Sequence, residues 1–415
     1  MPALAPPPTP PLDDRQQTLN VLAAAAHPYL HLHPVTESSQ SLRSELRVAL
    51  IIPSLDQGGA EKQLCLLACG LPQYGIQPHV IVLTRDGPLR TGLEAAGVTV
   101  DVIGKRFRAD PTAYFRLRRL LKRTSPAVAH TWLFAANAYG RQAARSVGVP
   151  VVLGSERCVD LWKSPMHFAI DRYLARRTAA ITTNSPGVRD FYHAHGIAED
   201  RFVIIPNGIP PRQVAEISRQ EACRRLAVDP ARKVILAVGR LWPQKRYRDL
   251  IWAADLVATL RGDTTLVIIG DGPQSGELLR HRDAVSHPRH VRFAGHRSDV
   301  LELLPHADVF WIGSEYEGQS NSLIEAMQAG CAVVASDIPG NRDLITHGQT
   351  GMLVGVGDRA DFARKTQTLL EDRDLAARLG EAARQKIADE FSVAAMVAAH
   401  ATLYRQLAQQ HGLSR

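Results

Sequence analysis

Arg240 and Lys245 stand five positions apart, just beyond the apolar run Val234 to Val238, in a chain of 415 residues. Two cations at the end of a buried strand suit a diphosphate. A guanidinium grips phosphate oxygens in two places, and an ammonium neutralises them as a point charge. Further along, Ser314-Glu315-Tyr316-Glu317-Gly318-Gln319-Ser320-Asn321-Ser322-Leu323-Ile324-Glu325 sets Glu317 and Glu325 eight positions apart. Ser320 and Asn321 are good helix caps and Gly330 is a stop, so a helix should begin at one of the two and end there. Its first N–H groups would offer a phosphate site at a strand's carboxyl edge. Glu317 precedes this helix and Glu325 sits about a turn inside it. One carboxylate then reaches a group beyond the phosphates while the other bonds hydroxyls on the nucleoside side. With Leu323, Ile324, Ala326 and Met327 around it, Glu325 fits a solvated surface poorly.

Other motifs are weaker. Gly58-Gly59-Ala60-Glu61 follows the apolar run Val48 to Ile52 and opens a helical pattern. Gly58 and Gly59 would let a ligand approach the backbone, although a tight turn needs small residues too. Gly270-Asp271-Gly272-Pro273 with Gly276 has the outline of a dinucleotide fingerprint. It follows the second strand of its half, and no acid ends the next strand, where Gly295-His296-Arg297 stand; a tight turn is the better reading. Asp372-Arg373-Asp374 lies in a polar helical stretch and reads as solvated surface. No cluster has metal-ligand spacing, so no metal site is expected. The five cysteines include no C-x-x-C pair and read as small buried thiols in a reducing compartment.

The elements that must position these residues alternate between short apolar strands and helical stretches, first over 45–210 and again over 211–390. Such alternation predicts two Rossmann-like, doubly wound parallel-sheet domains, α/β in class, with ligands at the carboxyl edges that face each other. Pro206-Asn207-Gly208-Ile209-Pro210-Pro211 breaks the rhythm and marks the boundary and hinge. Residues 391–415 read as a C-terminal helix that returns to pack on the first domain. Residues 1–44 form a proline-rich tail, expected to be disordered apart from a short helical stretch at 18–26.

Composition is globular, with 45% apolar and 22% charged residues. No apolar run approaches the roughly 20 residues that cross a bilayer. No basic residue precedes Arg15, so a secretory signal is not expected and the cytoplasm is the expected location. A net charge of +8 favours an anionic partner, but no nucleic-acid module or aromatic-basic interleaving appears.

Taken together, Gly58-Gly59-Ala60-Glu61, Pro206-Asn207-Gly208-Ile209, Gly239-Arg240 with Lys245, Gly270-Asp271-Gly272-Pro273 and Glu317-Gly318 through Glu325-Ala326 resemble the retaining glycosyltransferases of GT-B fold. The closer likeness is to their large bacterial group 1, the family 4-like members with two glutamates eight positions apart. Ser336-Asp337-Ile338-Pro339-Gly340-Asn341 and Gly355-Val356-Gly357-Asp358 share in it, and it runs from about Arg47 to the C-terminus.

The resemblance implies a nucleotide-sugar co-substrate, no cofactor and no metal. By that analogy Arg240 and Lys245 hold the diphosphate, Glu325 the ribose hydroxyls and Glu317 the transferred sugar. Gly59 approaches the phosphates from the opposite domain, with Gly318, Gln319, Ser320, Asn321 and Ser322 lining the donor. Gly295, His296 and Arg297 lie near the base. The family ends one strand with two histidines two residues apart; here His130-Thr131-Trp132 keeps the first alone, so the sugar contact of the second is in doubt. His130 is either a sugar contact or a packed strand residue, and Arg157 is a candidate acceptor contact.

The implied reaction transfers a sugar to a glycan or lipid-linked acceptor with retention, in polysaccharide or envelope glycan synthesis. A catalytically inactive binding module of the same fold, or a nucleotide-sugar epimerase, stays as the alternative. Finally, Arg116, Arg118, Arg119, Lys122 and Arg123 make a basic helix whose apolar side holds Tyr114, Leu117, Leu120 and Leu121. It is either an ordinary outer helix or a peripheral contact with an anionic membrane at the inner face.

Overall fold

The computed structural model describes residues 46–107, 109–211 and 216–413. The proline-rich tail and its 18–26 stretch lie outside the described residues. Two wholly parallel sheets form the frame, one of seven strands and one of six. The first runs β3-β2-β1-β4-β5-β6-β7. Its strands are β1 (Leu46–Ser54), β2 (Ile76–Arg85), β3 (Thr99–Val102), β4 (Val128–Trp132), β5 (Val151–Glu156), β6 (Ala180–Thr183) and β7 (Phe202–Ile204). The second runs β10-β9-β8-β11-β12-β13. It comprises β8 (Lys233–Val238), β9 (Thr264–Ile269), β10 (Val291–Gly295), β11 (Val309–Ile312), β12 (Val333–Ser336) and β13 (Met352–Val354). Helices cover both faces of each sheet, so central strands such as Val48 to Ile52 and Val234 to Ala237 are apolar without alternation and fully buried.

Chain order reverses between β1 and β4 in the first sheet and between β8 and β11 in the second. Loops leaving neighbouring strands diverge at such a switch point and leave a crevice at the carboxyl ends. Gly58 and Gly59 follow β1, Arg240 and Lys245 follow β8, and Glu317 follows β11. The two crevices therefore hold the residues singled out by their chemistry.

The halves are joined where two chain crossings lie side by side. Ile209 N–H donates to the Phe391 carbonyl at 2.8 Å and bridges Ser392. From there the helix Val393–Gln410 packs on the first domain. Met396, Val397, Leu403, Tyr404 and Leu407 join one core with β1, β2 and the helix Gly59–Gly70. Tyr404 carries that contact into the sheet, because its hydroxyl lies 2.6 Å from Nδ1 of His130 while Nε2 lies 3.0 Å from Thr182 Oγ1. His130 is fully buried and both its nitrogens are engaged. It is a packed strand residue, which corrects its candidacy as a sugar or acceptor contact.

Burial holds the imidazoles of His130 and His400 neutral, with proton affinity far below that of a free histidine, His400 at about 3. The unfolded chain binds these protons near pH 6.5 and the folded chain only at much lower pH, so stability falls as pH drops below about 6.5. Urea unfolding at pH 7 and pH 5 is expected to show this loss, with a smaller loss in His400→Gln. Tyr404→Phe strands a buried imidazole nitrogen and should cost about 1–3 kcal/mol at pH 7 in the same assay.

The helix Pro111–Thr124 buries Ala113, Leu117, Leu120 and Leu121 against the first sheet. Arg116 is tied back to the carbonyls of Ile103 and Gly104. Most of its apolar side is thus spent inside the domain, as an outer helix requires; Arg119, Lys122 and Arg123 are exposed together with Phe115, and Arg118 is half-buried over the Tyr114 ring.

Candidate functional site

Two helix N-termini meet across the cleft. The helix Gly59–Gly70 begins where a Cβ on Gly59 would lie 3.4 Å from Asn321 Nδ2, and Asn321 opens the helix Asn321–Gln328. Neither N-cap, Gly58 or Ser320, spends a side chain on its helix. Asp110, Ser185, Ser218, Asp358, Asp372 and Ser392 do cap theirs, while Trp132 and Gln274 do not. In the first helix the Glu61 carboxylate folds back onto its own backbone N–H, and the remaining first-turn N–H groups of the two helices, aimed into one crevice, give it the character of an anion site. Asp372 of the D-x-D is one of the capping residues and is exposed, as expected of surface.

The cations stand at the same place. Lys245 pairs with Glu317, whose Oε1 also accepts from Ser314 Oγ at 2.8 Å. Glu317 is buried although it is acidic, so its orientation is fixed before any ligand arrives. Arg240 is exposed, stacks over the Trp242 ring at 5.5 Å and makes no ion pair among the described residues. Its charge is felt by Glu61 across the cleft, where burial raises the carboxyl's proton affinity and Arg240 opposes that rise. Loops after β8 and β11 are tied to each other by Glu315 N–H to Gln244 O at 2.8 Å and Gln244 Nε2 to Tyr316 O at 3.3 Å. Glu325 is buried, four residues on from Asn321 and hence on the same side of its helix.

Gly318 has a steric reason. A Cβ there would meet the Arg157 carbonyl oxygen at 2.1 Å and Asn184 Nδ2 at 2.9 Å, both from the opposite domain. Gly340 backs it, since its own Cβ would strike the Gly318 carbonyl at 1.8 Å. Gly318→Ala should therefore wedge the halves apart and cost about 1–3 kcal/mol, read as a lower thermal midpoint.

Asn207 is the hub of the junction, a role its place in the turn motif does not reveal. Its N–H donates to Gln319 Oε1 at 2.9 Å and its Nδ2 to Asn321 Oδ1 at 2.8 Å, while its Oδ1 accepts from Arg157. Gln63 adds a paired contact to Gly208, at 2.8 Å in both directions. Gln319 and Asn321 are thus spent at least partly on domain contact, and Ser320 lies 3.2 Å from Ser322, hydroxyl to hydroxyl.

Arg157 follows β5 and is buried, with its guanidinium 4.7 Å over the Trp132 ring. Trp132 occupies the place of the absent second histidine. The Nη1 of Arg157 has no hydrogen-bond partner among the described residues, and no carboxylate there pairs with it; burial pulls its proton affinity down. Behind it, Lys163 Nζ bonds Asp171 at 2.9 Å and Tyr192 at 2.7 Å and lies 3.4 Å from Glu156. This buried network, invisible to spacing rules because its members are scattered, fixes the loop that carries Arg157.

The base-side candidates divide. Gly295 and His296 are exposed at the end of β10, beside the Asp271 turn, where the Ser275 hydroxyl and the Gly272 N–H lower the Asp271 carboxyl's proton affinity. Arg297 instead forks onto Asp299 at 2.8 and 2.7 Å and donates to the Arg225 carbonyl. Its guanidinium ties the strand end to a neighbouring helix, so most of its donors are engaged within the domain. Among the described residues no cluster of histidine, cysteine or acid is arranged to hold a metal, and no helix is long and apolar enough to cross a membrane.

Two family models match the chain, Glycosyl transferases group 1 over residues 218–386 and Glycosyltransferase Family 4 over 57–213. The chain is similar to the N-acetyl-alpha-D-glucosaminyl L-malate synthase of Bacillus anthracis, 29% identical over 44% of this chain and 47% of that one. It is 25% identical to the lipopolysaccharide core biosynthesis glycosyltransferase LpsE of Rhizobium meliloti, over 83% of this chain and 95% of the other. It thus spans about half of the first relative and nearly all of the second. Among solved structures, Alr3699/HepE of Anabaena in complex with UDP and glucose superposes with a TM-score of 0.78 at 21% identity. That match covers 87% of this chain and all of the other, a likeness of fold.

Proposed function

Since the chain belongs to the group 1 glycosyltransferases and has their GT-B architecture, we propose that it moves a sugar from a nucleotide-sugar donor to a glycan or lipid-linked acceptor with retention of anomeric configuration, and without a metal. The observation that carries this reading is the meeting of Arg240, Lys245 and two helix N-termini at facing switch points. A departing nucleoside diphosphate gathers negative charge, and fixed cations and dipoles stabilise it most when aimed beforehand at where the charge develops.

In this reading Arg240 and Lys245 hold the diphosphate while Gly58 and Gly59 close on it from the other side. Glu325 accepts from the ribose hydroxyls, and Glu317, set by Ser314 and Lys245, takes a hydroxyl of the transferred sugar. The bond from the anomeric carbon to the phosphate oxygen breaks as the acceptor oxygen bonds the same face. The acceptor's proton passes to the departing phosphate. Arg157 faces the acceptor side. The relative named for lipopolysaccharide core biosynthesis supports an envelope glycan as product.

Proton NMR of the product, made in buffer containing EDTA, tests both fine points. An anomer of the donor's configuration is expected; an inverted anomer would exclude retention, and activity that returns only with a divalent ion would exclude the metal-free route.

A further inference from the structure

The helix Pro165–Ala175 turns Phe168, Leu174 and Ala175 inward onto the first domain. An outer helix with one buried side ordinarily shows charge on the other. This one shows Met166, Ile170 and Tyr173, and the loop before it adds Leu161 and Trp162. Met166 is 67% exposed and Trp162 55%, although both are large and apolar. The helix 111–124 of the same domain exposes one large apolar side chain, Phe115, among outward residues that are otherwise mostly Arg and Lys.

Charge names the partner. Arg172, Arg176 and Arg177 lie at the end of the same helix, and Arg177 stacks 3.8 Å over the Tyr173 ring. The carboxylates of this segment are turned away from it. Asp171 is buried against Lys163, and Asp160 is held by Lys163, Tyr192 and the Trp162 indole N–H. An exposed apolar stripe with an aromatic at each end, bordered by arginines and lacking a free acid, matches the boundary of an anionic bilayer. A protein partner would be expected to meet polar rim groups of both signs.

The patch is also continuous with the site. Trp162 packs edge-on at 5.6 Å against Phe134, which follows β4, and its loop begins at Arg157. We propose that Leu161, Trp162, Met166, Ile170 and Tyr173, with Arg176 and Arg177, form a membrane-docking face that seats the acceptor side of the cleft on anionic lipid. It goes beyond the transferase reading, and its test needs neither donor nor acceptor.

The full chain would be sedimented with vesicles of phosphatidylcholine mixed with phosphatidylglycerol, and with phosphatidylcholine alone. Binding to the mixed vesicles, weakened by salt, is expected. Met166→Glu with Ile170→Glu should reduce it about tenfold or more with only a small fall in thermal midpoint, since Met166 is largely exposed and Ile170 lies at the margin of the core. Arg176→Glu with Arg177→Glu should abolish the preference for phosphatidylglycerol. Absence of wild-type binding, or binding that both variants retain, would overturn the proposal. So would a wild-type dimer that Met166→Glu with Ile170→Glu dissolves without any vesicle binding, since the face would then join two copies of the chain.

Discussion

Replacing Lys245 by alanine is expected to lower kcat/KM about a thousandfold and to weaken the fold at the same time. The loss of rate follows from removing a fixed charge at the diphosphate, where a single preorganised group is commonly worth about 10²–10³ in turnover. The loss of stability follows from the geometry. Lys245 and Glu317 pair at side-chain exposures of 15% and 10%, so the variant leaves a mostly buried carboxylate without its cation. Allowing for residual solvent screening, that should cost about 1–3 kcal/mol. Combining Lys245→Met with Glu317→Gln separates the two effects. The double variant should recover the thermal midpoint and none of the transfer. Recovery of transfer would mean that the pair serves the fold alone.

Arg157→Met should move stability and activity in opposite directions. A guanidinium buried over Trp132, with one terminal nitrogen unpartnered and no carboxylate beside it among the described residues, is held at a cost. Methionine keeps much of the volume and the contact with the indole, so the thermal midpoint should rise by a few degrees. Transfer should fall about a hundredfold or more, expressed mainly in the KM of the acceptor, because the retained charge serves a ligand on that side. A lower midpoint would show that the bond to Asn207 is what keeps the residue.

Much of this was legible in the chain. Buried parallel strands announce themselves as unbroken apolar runs, and Val48 to Ile52 and Val234 to Val238 lie within β1 and β8. The residues after those strands reach the switch points because a doubly wound sheet leaves no other place for them. Contacts between distant parts of the chain were not legible. His130 could be a sugar contact or a packed strand residue; the choice is set by Tyr404, 274 residues away. Arg297 carried a charge at the right strand end, yet Asp299 and the Arg225 carbonyl claim it. Asn207 stood in a recognisable turn, but its part in joining the domains depends on Gln319 and Asn321 folding back to it. The outward face of 165–175 was hidden for another reason. Its sequence is apolar on both sides, so periodicity cannot say which side the core takes.

The central claim is that Lys245 and Glu325 belong to one metal-free nucleotide-sugar site. Titrating the purified chain in EDTA with UDP, GDP, ADP and dTDP, each also as its sugar conjugate, and following the thermal midpoint tests it most directly. Stabilisation by one nucleoside diphosphate, lost in Lys245→Ala and again in Glu325→Ala, is the predicted result. A midpoint that no nucleotide shifts would contradict it, as would a shift that survives both substitutions.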